Sequence, residues 1–275
     1  FAYKDFSLPE ELFFETKDGS LISITTYISQ DQHLIDRDLE DQFFIALKSL
    51  ETQEGVHATA YSHTQTIKNT FGVFTPESYI KKFKDYKTNS LHKNPQNKHL
   101  ASIFNDAEKF LIQGKPILEC YSGFLTHSDF VPHNIRIKGH DIYLLDHTSI
   151  WFGNKYEGWA RFVNFMVHHN PDLEEALCSY VKLNRGEDEY LSLRLMRIYK
   201  LGFLLNYYSD TLEKTEGDMH KLMRTRLTFW TEVMKAVLDD KQISKNVLAK
   251  FLEEEDMLRS DEERARRKEI ISLRK

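Results

Sequence analysis

The sequence predicts an α+β fold: a partial sheet at the start, a long helical region after it, and one short β-hairpin set into that region. Three observations carry this reading. β-Branched and aromatic residues on both sides of Lys17-Asp18-Gly19-Ser20 read as strands joined by a tight turn. From about residue 36 to residue 240, apolar residues recur at the three- and four-residue steps of a helix face. That pattern breaks around residues 127–146, where the polar turn Lys138-Gly139-His140-Asp141 separates Ile135-Arg136-Ile137 from Ile142-Tyr143-Leu144-Leu145.

Taken in order, Phe1-Ala2-Tyr3-Lys4-Asp5-Phe6 and Leu12-Phe13-Phe14-Glu15 read as strands, and Leu21 to Ile28 as a further one. Asp36 is expected to cap a helix carrying Leu39, Phe43, Phe44, Leu47 and Leu50. Thr75-Pro76 marks a second helix start, with Thr as cap and Pro in the first turn. Ser90 to Lys98, polar and containing Asn94-Pro95, reads as a loop. Leu100, Ile103, Phe104, Phe110 and Leu111 mark a helix ending before Gly114, and Ile117 to Tyr121 reads as a short strand. Four helices follow Asp146. The first runs from about Tyr156 to His169 and stops at Asn170-Pro171; the others hold Leu173 to Val181, Leu191 to Tyr208 and Met219 to Val237. From Lys241 the composition turns strongly charged, with both signs at i,i+4 spacing, which predicts a solvated terminal helix. Three units result: 1–30, 31–240 and 241–275.

Composition narrows the function classes. At 41% hydrophobic residues, 275 positions supply a sizeable core. Cys120 and Cys178 fall in different segments, which suggests neither a disulfide framework nor a zinc cluster. No apolar run approaches a membrane span, and no signal-peptide pattern occurs, so a cytoplasmic protein without a membrane partner is expected. A net charge of -5 argues against a nucleic-acid partner and is mildly compatible with cationic substrates.

The stretch His127-Ser128-Asp129-Phe130-Val131-Pro132-His133-Asn134, with Asp146 closing the hairpin, holds the chemistry-bearing residues. Asn134 enters the first strand and Asp146 leaves the second, so the fold should bring them to roughly the 5 Å cross-strand spacing. An amide oxygen beside a carboxylate suits Mg²⁺, which takes hard oxygen ligands, often only one or two from protein. Asp129, on the loop before the hairpin, can face the same point and accept a proton from a substrate hydroxyl as a phosphoryl group moves.

The pattern His-x-Asp-x-x-x-x-Asn, then a strand pair, then apolar-apolar-Asp resembles the aminoglycoside phosphotransferase and choline kinase group, within the protein-kinase-like superfamily. It covers Leu118 to about Phe165 well and the helical remainder loosely. The resemblance implies a protein-kinase-like fold with a mostly helical C-terminal lobe. It also implies ATP and Mg²⁺ as cofactors, and a small-molecule hydroxyl substrate such as an aminoglycoside, amino alcohol or sugar. Asp129 then corresponds to the catalytic base, His127 to the residue that buttresses its loop, and Asn134 and Asp146 to the metal ligands. By order, the strand ending at Thr26, Tyr27 and Ile28 corresponds to the hinge that holds adenine.

Some positions depart from the family pattern. His147-Thr148-Ser149 follows Asp146 in place of an aromatic and an acidic residue or Gly, and Val131 stands where related kinases place Lys or His. Glu157 is the nearest candidate for the acidic residue of the following helix, and it reads equally as a helix N-terminal charge. No Gly-x-Gly-x-x-Gly occurs, nor a Lys in a Val-Ala-x-Lys strand. The chain is therefore expected to be a fragment lacking the first part of its small lobe.

Other residues read more plainly. His168-His169 suits a helix C-terminus, and adjacent histidines point to different faces. His57 and His63 have a spacing wrong for a shared zinc face. His133 reads as a substrate contact or a loop-packing residue, Arg161 and Trp159 as acceptor-pocket or core residues, and Glu187-Asp188-Glu189 as a helix start. Two functions compete with a phosphotransferase: a non-catalytic kinase-like binding protein, and a metal-dependent phosphohydrolase using His127 and Asp129. The latter would need more clustered His and Asp ligands than the sequence displays.

Overall fold

The computed structural model describes residues 6–18, 20–30, 32–59 and 63–259. The strand expected over Phe1–Phe6 lies outside them except for Phe6, as does the charged tail beyond residue 259. The architecture is α+β: a large helical body with three small sheets along one side.

The N-terminal hairpin forms as expected. Strand β2 (Glu11–Lys17) pairs antiparallel with β3 (Ser20–Thr25), in a register that sets Phe13 against Ile24 and Glu15 against Ile22. Preceding them, β1 (Phe6–Ser7) runs parallel to a later strand. Strand β3 ends at Thr25, three residues short of the expected Ile28. Just past its end, Thr26 is still tied to Glu10: its amide donates to the Glu10 carbonyl and its hydroxyl accepts from the Glu10 amide.

Helix α1 (Leu39–Thr59) is capped by Asp38, whose carboxylate accepts from the Asp41 amide at 2.8 Å. Asp36, the expected cap, sits in a separate 3-10 turn over Leu34–Asp36. A short α2 (Thr64–Phe71) begins just after His63, so His57 and His63 belong to different helices. Helix α3 (Pro76–Lys93) starts as expected, with the Thr75 hydroxyl accepting from the Ser78 amide. It runs four residues into the expected Ser90–Lys98 loop, which shrinks to residues 94–97. The Asn97 side chain then caps α4 (Lys98–Gln113).

The expected strand Ile117–Tyr121 is instead a short helix, α5 (Lys115–Cys120). Pro116 suits a first helical turn, Leu118 is buried in the core and Ile117 packs against it. The strand that does form, β4 (Ser122–His127), lies one step later and pairs antiparallel with β7 (Ile150–Asn154). Between them lies the expected hairpin, β5 (Ile135–Lys138) and β6 (Asp141–Leu144), with Gly139 at φ 59° in its turn. Strand β1 adds to the free edge of β6.

Helices α6 (Glu157–His169), α7 (Pro171–Asn184), α8 (Glu187–Leu212) and α9 (Gly217–Leu238) match the four expected stretches. Trp159 is core: it is fully buried and stacks parallel to Tyr180, with Arg185 over its face. The terminal helix α10 (Lys245–Leu258) is not solvated all round. Phe251 stacks on Phe229 of α9 at 3.8 Å, and the buried Glu255 binds Arg226 and Arg259.

One carboxylate knits these layers together. Glu157, with no exposed surface, accepts from Lys200 of α8 at 2.6 Å, from the Trp151 indole of β7 at 2.9 Å, and from the Tyr79 hydroxyl of α3. Tyr79 in turn accepts from the Asn154 amide at 2.9 Å. Burial and the neighbouring carboxylate push the Tyr79 hydroxyl well above its ordinary pKa, so it remains a proton donor. Gly153 makes room for this cluster, since a Cβ there would stand 2.3 Å from the Tyr79 oxygen and 2.9 Å from Glu157.

Two predictions follow from these contacts. Lys200→Met strands a buried carboxylate and should cost about 3–5 kcal/mol in chemical denaturation; a loss below about 1 kcal/mol would contradict the role assigned to Glu157. Glu255 is held below the usual carboxylate range: burial opposes this, but the bonds from Arg259 and Arg226 outweigh it. A depressed carboxylate stabilises above its unfolded pKa and loses that contribution as pH falls through the folded one. Amide protection in α10 should therefore fall on acidification, and Glu255→Gln should weaken it at neutral pH and flatten the dependence.

Candidate active site

Strand β4 delivers the loop that carries Asp129. Its position is fixed by α1, where the Gln53 side chain accepts from the His127 amide at 3.2 Å and His57 Nδ1 accepts from the Leu125 amide at 3.1 Å. The second bond also gives His57 a structural role. His127 is buried, and its Nε2 lies 3.1 Å from the carbonyl of Leu145. A carbonyl only accepts, so that nitrogen carries the proton. The bond ties the start of the loop to the residue just before Asp146.

A second tie runs beside it. The amide and the hydroxyl of Ser128 both donate to the Ser149 carbonyl, at 2.8 and 3.0 Å. Phe130 and Val131 are buried, so the loop is anchored by its apolar residues while Asp129 between them and Ser128 stays partly exposed. Val131 thus fills space where a polar residue would have been expected. Pro132–Asn134 form a 3-10 turn, and the Asn134 side-chain amide donates to the Asp129 carbonyl at 2.9 Å. With its NH₂ so engaged, the Asn134 side-chain oxygen remains to accept or to ligate.

The hairpin then returns the chain as expected. Ile135 pairs with Leu144, the Leu145 amide donates to the Asn134 carbonyl at 2.8 Å, and Asp146 follows directly. Asp146 adopts φ 57°, ψ 59°, a left-handed conformation that few non-glycine residues take and that clusters at functional sites. Its carboxylate accepts from Thr148 Oγ1 at 2.5 Å and from Ser149 Oγ at 3.3 Å. The Thr148 hydroxyl is the main reason its pKa lies below the ordinary value, so it is a standing negative charge at neutral pH. The sequence His147-Thr148-Ser149, a departure from the family pattern, here supplies the hydroxyls that orient Asp146.

Among the described residues no cluster of three or more His, Cys, Asp or Glu could hold a metal. Asn134 and Asp146 present one neutral and one charged oxygen donor, a set that suits Mg²⁺ and would leave its other positions to phosphate and water.

Asp129 is not alone. Arg161 of α6 donates from Nε to Asp129 Oδ1 at 2.7 Å, with side chains 31% and 43% exposed. Sequence reasoning noticed Arg161 only as an acceptor-pocket candidate; nothing local marks a pairing across 32 positions. His133 is exposed and packs edge-on against Phe165 of the same helix at 5.5 Å. His169 stacks on Phe165 at 4.2 Å, and His168 meets Trp230 edge-on, so both histidines pack at the helix end. Glu189, in the first turn of α8, bonds Lys155 and Tyr156 away from the Asp129 loop.

Thr26, Tyr27 and Ile28 stand apart from this group. Tyr27 is 87% exposed, and no described hydrogen bond or ion pair links the three to Asp129, Asn134 or Asp146. Their nearest tie to the hairpin is Gln30, whose side-chain oxygen accepts from the Ile137 amide at 3.2 Å.

No family model matches the sequence, and no curated protein matches it. A similar solved structure is that of an ADP-bound aminoglycoside phosphotransferase, APH(2'')-Ib. It is 11% identical with a TM-score of 0.46, over 85% of this chain and 77% of that one.

Proposed function

We propose that this chain supplies the catalytic lobe of a Mg²⁺- and ATP-dependent phosphotransferase acting on a small-molecule hydroxyl. The observation that carries the reading is the bonded unit of Asp129, Asn134 and Asp146. Asn134 holds the Asp129 backbone, the Asn134–Leu145 bond sets Asp146 beside it, and His127 locks both loops.

In the proposed reaction the acceptor oxygen attacks the γ-phosphorus, the bond from that phosphorus to the β,γ-bridging oxygen breaks, and ADP leaves. The hydroxyl proton passes to Asp129, giving a phosphomonoester, ADP and a released proton. Asn134 and Asp146 would hold Mg²⁺, which neutralises phosphate charge when bound. His127 keeps the loop from swinging away from Asp146, and the Thr148 and Ser149 hydroxyls fix the Asp146 carboxylate. Thr26, Tyr27 and Ile28 are proposed to contact adenine through their backbone.

The Asp129–Arg161 pair favours one alternative, a non-catalytic binding protein, because the carboxylate that would take the proton already accepts a hydrogen bond from Arg161. Turnover decides between them. Asp129→Asn should lower kcat at least 100-fold, the scale of general-base catalysis, with Mg-ATP affinity within about twofold by calorimetry. Asp146→Asn should instead weaken Mg-ATP binding. Full turnover by Asp129→Ala would overturn the assignment, and wild-type protein that releases no ADP with any hydroxyl acceptor would favour the binding protein.

A further inference from the structure

We infer that the acceptor carries an oxyanion of its own, a carboxylate or phosphate near its reactive hydroxyl, and that Arg161 is the residue that binds it. The inference rests on the phosphotransferase reading and deepens it, since the sequence left neutral and cationic acceptors open.

Arg161 reaches the base with one atom only. Among the described residues its sole hydrogen bond is from Nε to Asp129 Oδ1, leaving the two terminal amino groups of a partly exposed guanidinium beside Asp129. That pair of groups is the fork that binds carboxylate or phosphate oxygens two at a time. A partly exposed ion pair contributes little to stability, so folding alone does not require an arginine here.

Its setting points the same way. Arg161 and Phe165 stand four residues apart on one face of α6, and His133 of the catalytic loop packs against Phe165. The side chain is thereby placed beside the base, on the face of α6 that meets the loop, while the Phe165 ring is taken up by His133 and His169. An acceptor whose hydroxyl reaches Asp129 comes up against the guanidinium bonded to it. An amine or aminoglycoside would meet like charge there, close to the point of attack. An oxyanion would find the unused fork and complete the charge of Arg161 while Asp129 takes up the proton.

The test measures ADP release by the full chain with Mg-ATP against three acceptor classes at equal concentrations. These are hydroxy acids and sugar phosphates, their neutral parent sugars and polyols, and amino alcohols with aminoglycosides. The anionic class should lead in kcat/KM by at least tenfold. Arg161→Gln should raise KM for the best anionic acceptor tenfold or more, with kcat falling less, and should erase the preference; Arg161→Lys should restore part of it. Thermal midpoints of both variants should match the wild type, separating lost recognition from lost fold. Turnover confined to neutral or cationic acceptors, or an unchanged KM in Arg161→Gln, would overturn the inference while leaving the phosphotransferase intact. Absence of turnover with all three classes would remove the reading and this inference together.

Discussion

The buried carboxylate of Glu157 is the constraint on which the rest of this structure hangs. A fully desolvated charge persists only where cations and hydrogen-bond donors surround it. Here they come from α3, β7 and α8. Satisfying one buried side chain draws two long helices and the strand β7 to a single point, and further bonds from Asn89 and Lys93 to Asp210 and from Ser192 to Asn154 hold the same elements together. That strand pairs with β4 from Ser122↔Asn154 to His127↔Ile150. The carboxylate thus places the strand that delivers Asp129, although it lies outside the site.

Close approach completes the link. A Cβ at Gly158 would stand 3.0 Å from the His127 carbonyl and equally close to the Gln53 side chain, so the start of α6 lies directly against the end of β4. One helical turn later comes Arg161, which for that reason reaches Asp129. Without a glycine at 158, α6 would move outward and the ion pair would lengthen. The site's electrostatics follow from packing at two positions that carry no charge and one that carries a buried charge.

Local chemistry was legible in the sequence where local rules decide. The hairpin after Asn134 was readable because a Gly-containing turn between apolar runs has few other solutions, and it sets Asn134 opposite Leu145, one residue before Asp146. The Thr75 cap and the four helices after Asp146 were readable for the same reason. Ile117–Tyr121 was misread because a short apolar run fits helix or strand equally. The true strand, Ser122–His127, contains Gly123 at φ 84° and shows no clean alternation. Asp36 and Asp38 are equivalent caps on paper, and only the 3-10 turn at Leu34 separates them. Glu157 looked like a helix-dipole charge, since nothing in its neighbours announces Tyr79, 78 positions away, or Lys200, 43 positions on.

The same distinction governs charge. A net charge of -5 over the whole chain suggested tolerance for cations, but net charge sums groups spread across the surface. Exposed charges separated by more than a Debye length, about 10 Å at 0.1 M salt, are largely screened from one another. At the mouth of the site the counting is local: Asp146 is engaged by Thr148 and Ser149, and Asp129 is balanced by a guanidinium 2.7 Å away. Any group approaching Asp129 meets that guanidinium before it meets the averaged field. The local electrostatics at this loop are accordingly set by one arginine held beside Asp129, and the composition of the chain carries no information about it.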